Sequence, residues 1–280
     1  RCATQLGINT FRITGGEPLL RNQLHELIAR LIRIPGVHDI ALTTNATLLK
    51  KYAHQLYDAG LRRINVSLDS LNAQKLERMS GAHLSDILDG IEVALAIGFE
   101  HIKINCVVMR DFNTDEIEQI AMLSYNRPLH VRFIEYQPIG CAKVFFNDIF
   151  VPIDEARQRL IANCSIEPIS SAEQPPGAGP ARYWRIPGGR GTIGFIAPIS
   201  EPFCERCNRL RITPDSFLRP CLAYEHGINL MPILRGGSDD ELEWAFRKAV
   251  ALKPHGHDFH ARLQVSNALI VHRSMQRIGG

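Results

Sequence analysis

Apolar residues over the first 165 positions switch between two periods. Leu24, Leu27, Ile28, Leu31 and Ile32 recur at helical spacing and predict a helix over 24–34. Short β-branched runs on either side, Ile8–Thr14 and Ile40–Thr44, predict strands. The alternation continues with strands at Arg63–Leu68, Ile102–Met109 and Val131–Tyr136. Helices are predicted at Leu48–Ala59, at Asp86–Ile97 and from a cap at Asn113 or Thr114 to about Leu123. At least five β-α units with short connections imply a parallel sheet or an incomplete (β/α) barrel. The rhythm stops at Glu167–Pro180, a stretch rich in Pro, Gly and Ser that reads as a linker, and a boundary is set near 168. Beyond it come predicted strands at Tyr183–Ile186, Thr192–Ile196 and Asn208–Ile212 and a helix at Asp239–Leu252. The expected fold class is α/β, with a partial barrel over 1–168 and an α+β domain over 169–280.

Polar residues break the apolar strands with a period of two. Arg12 and Thr14 alternate with Phe11 and Ile13; Lys103 and Asn105 alternate with Ile102 and Ile104; Asn65, Ser67 and Asp69 share one face. Polar groups toward the C-terminal ends of barrel strands line a site. Arg209 and Arg211 are likewise expected on one face, with Leu210 and Ile212 turned to the core. Two guanidiniums side by side repel unless an anion lies between them, and phosphate matches their geometry. At the end of the first strand, Gly15-Gly16-Glu17-Pro18 permits close approach of backbone to a ligand, or else forms an ordinary tight turn.

Three cysteines, Cys204, Cys207 and Cys221, follow a C-x2-C-x13-C pattern that suits zinc or an iron–sulfur cluster. With three ligands in place of four, either a distant residue such as His226 completes the site or one metal corner stays open for a substrate. Cys2, Cys106, Cys141 and Cys164 are scattered singly and read as small apolar filler. An odd total of 7 without a secretory signal argues against a disulfide framework and for a reducing, cytoplasmic setting. The net charge of +3 argues against an extended nucleic-acid surface, and no apolar run approaches the roughly 18 residues of a membrane span. The chain starts at Arg1 and not at Met, and its first residues read as the tail of a helix cut from something longer.

Together these stretches resemble one family. Phe-Arg-Ile-Thr-Gly-Gly-Glu-Pro-Leu-Leu-Arg (11–21), Leu-Thr-Thr-Asn (42–45), Asn-Val-Ser-Leu-Asp-Ser-Leu (65–71) and Arg-Phe-Ile-Glu-Tyr (132–136) are similar to segments of the radical S-adenosylmethionine GTP 3′,8-cyclases of molybdenum cofactor biosynthesis. So are Gly-Pro-Ala-Arg-Tyr (179–183), Gly-Phe-Ile-Ala-Pro-Ile-Ser-Glu-Pro-Phe-Cys (194–204) and the final Ile-Gly-Gly (278–280). The resemblance implies conversion of GTP to (8S)-3′,8-cyclo-7,8-dihydroguanosine 5′-triphosphate. In that reaction a 5′-deoxyadenosyl radical takes the ribose 3′ hydrogen and the carbon radical attacks guanine C8. It further implies a 4Fe-4S cluster on Cys204, Cys207 and Cys221 with an open iron for guanine, in preference to zinc. A second 4Fe-4S cluster would serve S-adenosylmethionine in the full-length protein.

Carried over residue by residue, Gly16 and Ser67 fall on S-adenosylmethionine-binding positions, and Arg12, Thr43, Lys103, Arg209 and Arg211 on GTP-binding positions. Gln137 stands where the family's pattern has a cofactor-contacting Met, and Ala46 where it has Gly. Arg12, Arg209, Arg211, Gly279 and Gly280 would serve catalysis, the two glycines by reaching into the active site. The family's C-x3-C-x2-C motif is absent from these 280 residues, so the expectation is a fragment without its first cluster and first barrel strand, inactive by itself. A homodimer is expected, with cyclic pyranopterin monophosphate synthase as the next enzyme. A two-cluster radical enzyme acting on a peptide and a zinc-stabilised binding module are the competing readings.

Overall fold

In the computed structural model, residues 1–139, 146–177, 179–257 and 259 are described. Five strands, β1 (Thr10–Ile13), β2 (Asp39–Thr44), β3 (Arg63–Ser67), β4 (His101–Val108) and β5 (Leu129–Glu135), lie parallel and in chain order. Beyond β5, β6 (Glu167–Pro168), β7 (Arg182–Arg185) and β8 (Thr192–Ile196) extend the same sheet in the order β5-β8-β7-β6. The β8 strand is parallel to β5, while β7 is antiparallel to both β8 and β6. The sheet is open, with β1 and β6 as its edges, and it runs without a break across residue 168. The α/β character and the mostly parallel sheet agree with the sequence, and the barrel does not close.

Register sorts the side chains. On one face, Leu42, Ile64, Ile102, Ile104, Val131, Phe133 and Ile193 are each exposed by no more than 1%. They pack with Ile28 of α2 (Leu24–Ile32), Leu49 and Leu56 of α3 (Leu49–Asp58), and Ile87 and Ile91 of α5 (Leu84–Ile97). Ile120 of α6 (Ile117–Asn126) and Leu160 of α8 (Ile153–Cys164) complete this layer. Each such burial contributes roughly 1.5–3 kcal/mol, which fixes which face of the sheet turns toward the helices. Among the described residues no helix is long and apolar enough to cross a membrane.

Two short helices flank this arrangement, α1 (Cys2–Gln5) and α7 (Phe146–Ile149), and α4 (Ala73–Ser80) follows β3. A second sheet of β9 (Arg211–Ile212), β10 (Phe217–Arg219) and β11 (Ile228–Asn229) is antiparallel. It is followed by α9 (Met231–Gly236) and α10 (Asp239–Ala251), the latter opened by a reciprocal Ser238–Glu241 capping box. Leu218, Leu230, Ala245, Phe246 and Ala249 form a separate core there with Cys2, and Ala3, Leu6 and Ile8 pack on it. The second sheet is thereby seated against the residues that lead into β1.

Two expectations need correction. The strand predicted over Asn208–Ile212 shrinks to Arg211–Ile212, and Ile212 is 56% exposed and not in the core. The helix α4 was not predicted: Leu76 is its sole buried residue, so it leaves no apolar period to read, and its start rests on the Asn72 cap. Cys2 and Cys106 are buried, as filler should be; Cys164 is half-buried, and Cys141 lies outside the described residues.

Candidate active site

The other face of the main sheet is polar. Parallel register sets Thr43, Asn65, Lys103, His130 and Thr192 side by side in one row. Two residues toward the strand C-termini, Ser67, Asn105, Arg132, Gly194 and Tyr183 form a second row. Two residues the other way lie Arg12, Ala41, Arg63 and His101. Arg12 on β1 and Arg132 on β5 lie within each other's electrostatic field.

Hydrogen bonds knit the rows together. Buried Arg132 donates from Nε to Asn105 Oδ1 at 2.8 Å and from Nη2 to Asn65 Oδ1 at 2.7 Å, and it also bonds the Tyr183 phenol. Asn65 Nδ2 in turn donates to Thr43 Oγ1 at 3.3 Å. Gly194 leaves the room this needs, since a Cβ there would stand 2.8 Å from Tyr183 Cε1 and 3.1 Å from Arg132 Cγ. Lys103 Nζ donates to the Pro176 carbonyl at 2.6 Å, and Arg63 pairs with Asp39. Gly177 lies tight over Arg63: a Cβ would come within 2.1 Å of its guanidinium.

The charges are unbalanced. Burial, and then Arg132, Arg63 and Arg12, push Lys103 down to about 7. Arg12 falls to about 10 through burial, Arg132, Arg209 and Arg63, although solvent still reaches it. Arg211 is also brought to about 10, by burial, Arg209 and Arg12. Burial with neighbouring Lys103 lowers His130 to about 3, so it is neutral. Cations gathered this closely call for a polyanion.

The thiols sit beside them. Cys204 opens a 3-10 turn (Cys204–Arg206), and Cys207 ends it. Burial raises the Cys204 thiol, opposed by a bond from the His257 backbone N–H and reinforced by the fields of Cys221 and Cys207. Cys207 is held below its ordinary value: burial works against this, and bonds from Arg209 and the field of Lys253 outweigh it. Ala223 N–H donates to Cys221 Sγ at 3.4 Å. Among the described residues no three of His, Cys, Asp and Glu converge tightly enough for a single metal ion. His226 is exposed beside Tyr224 and completes no such group. The thiols are near enough for their fields to overlap, and each is supplied with an N–H donor. A cleft of about 350 Å³ opens next to Cys207, with Arg182, Phe203, Arg206 and Arg209 in its walls.

Comparison with known proteins gives this arrangement a context. Residues 1–123 match the radical SAM superfamily and residues 129–259 the family described as Molybdenum Cofactor Synthesis C. The GTP 3′,8-cyclase of Pelotomaculum thermopropionicum is 45% identical over 92% of this chain and 79% of its own. Those of Alkaliphilus metalliredigens and Petrotoga mobilis are 42% and 40% identical, over 100% and 99% of this chain and 84% and 83% of theirs. The chain belongs to the GTP 3′,8-cyclase family.

Against the positions that GTP 3′,8-cyclases suggest, Arg12, Lys103, Arg209 and Arg211 are brought into one electrostatic neighbourhood. Thr43 lies in the Lys103 row. Gly16 follows β1, Ser67 ends β3 and Gln137 follows β5, all at the same end of the sheet. Glu17 braces that rim by accepting from Thr44 Oγ1 at 2.6 Å and from Asn45 N–H at 2.7 Å. Ala46 sits at φ +62, the left-handed region in which a Gly is unstrained, which accounts for the Gly of the family's pattern. Gly279 and Gly280 lie outside the described residues. Sequence reasoning missed Arg63, Arg132 and Tyr183 as site residues. Their signal was available, because Arg63 is two residues from Asn65 on one face and Arg132 lies in a quoted segment.

Proposed function

We propose that this chain binds GTP at the cationic face of the main sheet for 3′,8-cyclisation, with the triphosphate against Arg12, Lys103, Arg209 and Arg211. The observation that carries this reading is the crowding of cations from different elements: besides burial, Arg12 is lowered by the field of Arg209, Arg211 by those of Arg209 and Arg12, and Lys103 by that of Arg12 among others. Cys204, Cys207 and Cys221 would hold a 4Fe-4S cluster. When bound, that cluster supplies an iron with an open position for guanine. Arg209 and Arg211 follow Cys207 by two and four residues, so one segment would grip both triphosphate and base. Gly16 and Ser67 would take S-adenosylmethionine at the rim, with Gln137 in the place of the family's Met, and Gly279 and Gly280, which lie outside the described residues, would reach into the active site. The cyclised product is what cyclic pyranopterin monophosphate synthase consumes.

The test uses the reconstituted 280-residue chain. GTP should bind, and guanosine should compete only at much higher concentration. Arg211→Ala should weaken GTP about tenfold, since one charge-assisted contact contributes roughly 1.5–3 kcal/mol. Given S-adenosylmethionine and a strong reductant, the same preparation should form no 5′-deoxyadenosine, because the sequence holds no C-x3-C-x2-C. Equal affinity for GTP and guanosine would sink the phosphate assignment.

A further inference from the structure

Glu135 ends β5 and is 1% exposed, yet among the described residues hydrogen-bond donors and not a cation meet its carboxylate. One oxygen accepts the Ile153 N–H at 3.0 Å and the Ser200 hydroxyl; the other accepts the N–H groups of Ile199 at 2.8 Å and Ser200 at 3.0 Å. Four donors saturate a charge that is out of water. An apolar side chain would hold the end of β5 at lower cost, because a buried carboxylate is tolerated only when its lone pairs are met. Its particular effect is to fix the turn after β8, which has no strand partner of its own.

That turn leads to the thiols by two routes. Ile199 packs in an apolar cluster with Ala223, on which Cys221 also packs. The Pro198 carbonyl meets the His257 ring, and the His257 backbone N–H bonds the Cys204 thiol. One residue after Ser200, Glu201 pairs with Arg157 and Arg182, each at 3.0 Å, which pins the same turn from outside. We infer that Glu135 is a positioning residue for the three-cysteine site, fixing Pro198–Ser200 so that Cys204 and Cys221 are presented together. The inference rests on the reading that these cysteines hold a cluster. Glu135 touches none of the three.

A carboxylate is required for this, since Gln would turn an N–H toward two of the four donors. Glu116 supplies the control. It too is a buried carboxylate, accepting from Ser70 Oγ at 2.9 Å, Leu71 N–H at 2.7 Å, Asn72 N–H at 3.0 Å and Lys75 Nζ at 3.0 Å, but it braces the turn after β3.

The experiment compares the full chain with Glu135→Gln, Ser200→Ala and Glu116→Gln. Iodoacetamide labelling of the metal-free protein is mapped cysteine by cysteine, and iron content and the electron paramagnetic resonance spectrum follow after anaerobic reconstitution. Glu135→Gln should raise labelling of Cys204 and Cys221 about tenfold through local opening, leave Cys164 unchanged, lower bound iron by about half or more and shift the spectrum. Ser200→Ala removes one donor pair and should move the same readouts about twofold, and it decides the matter if Glu135→Gln does not fold. Unchanged labelling and spectrum, or the same changes in Glu116→Gln, would overturn the inference. Should the parent chain take up zinc and no iron, the proposed function fails, while the labelling pattern still decides the role of Glu135.

Discussion

Lys103 and Cys207 are held in place by different physics. Lys103 is held because Ile102 and Ile104 on either side are fully buried against the helices, so alternation leaves it no other face. Cys207 sits at the end of a 3-10 turn with no ladder around it, and single contacts from Arg209 and Lys253 define its surroundings. The polar face is therefore set by the whole sheet, whereas the thiols are set by a few hydrogen bonds each. The first region should fail by unfolding and the second by losing its geometry while folded.

The largest effect should come at the thiols. Cys207→Ala should abolish iron uptake after anaerobic reconstitution and leave the melting of the metal-free chain nearly unchanged, since Cys207 belongs to none of the apolar cores. Iron and sulfide per chain beside a thermal melt would check both halves. A large loss of melting temperature would contradict the claimed independence. Phe133→Ala should do the reverse. Phe133 is fully buried and stacks on Phe195 with ring centroids 6.1 Å apart, so truncation should cost about 3–5 kcal/mol in urea unfolding. Whatever fraction stays folded should bind GTP with ordinary affinity.

The same contrast decides what the sequence made legible. Thr192–Ile196 was read with its observed bounds, and β2 to β5 to within a residue or two, because each buries an apolar face with period two. In the cysteine region β9 has two residues, β10 three and β11 two, too short for any period to show. Arg209 to Ile212 has a strand's alternation without a strand's burial, so the reading went too far there. The sheet's passage across residue 168 was hidden for a related reason: β6 is two exposed residues, one of them a proline. The partnership of Arg12 with Arg209 and Arg211 depends on how the two sheets meet, and periodicity carries no information on that.

The smallest predicted effect tests whether the sheet's electrostatics act as one unit. Burial first, and then Arg132, Arg63 and Arg12, bring Lys103 to about 7, so above that pH much of it is neutral in the free chain. A triphosphate beside it favours the charged form and raises the value again. The complex then holds a proton that the free chain lacks, and linkage gives the sign: GTP affinity should fall as pH rises above about 7, by up to about tenfold per unit, and level off below it. Near pH 8.5, titration calorimetry in buffers of different ionisation heat should register the uptake of close to one proton. Lys103→Arg should bind GTP without that uptake, because a guanidinium stays charged at this pH. Folding stability follows the same shift: the unfolded chain binds a proton on Lys103 that the folded chain does not, so Lys103 makes stability rise with pH from about 7 toward the ordinary lysine range. Proton uptake that survives in Lys103→Arg would move the titrating group elsewhere and separate Lys103 from the phosphate site.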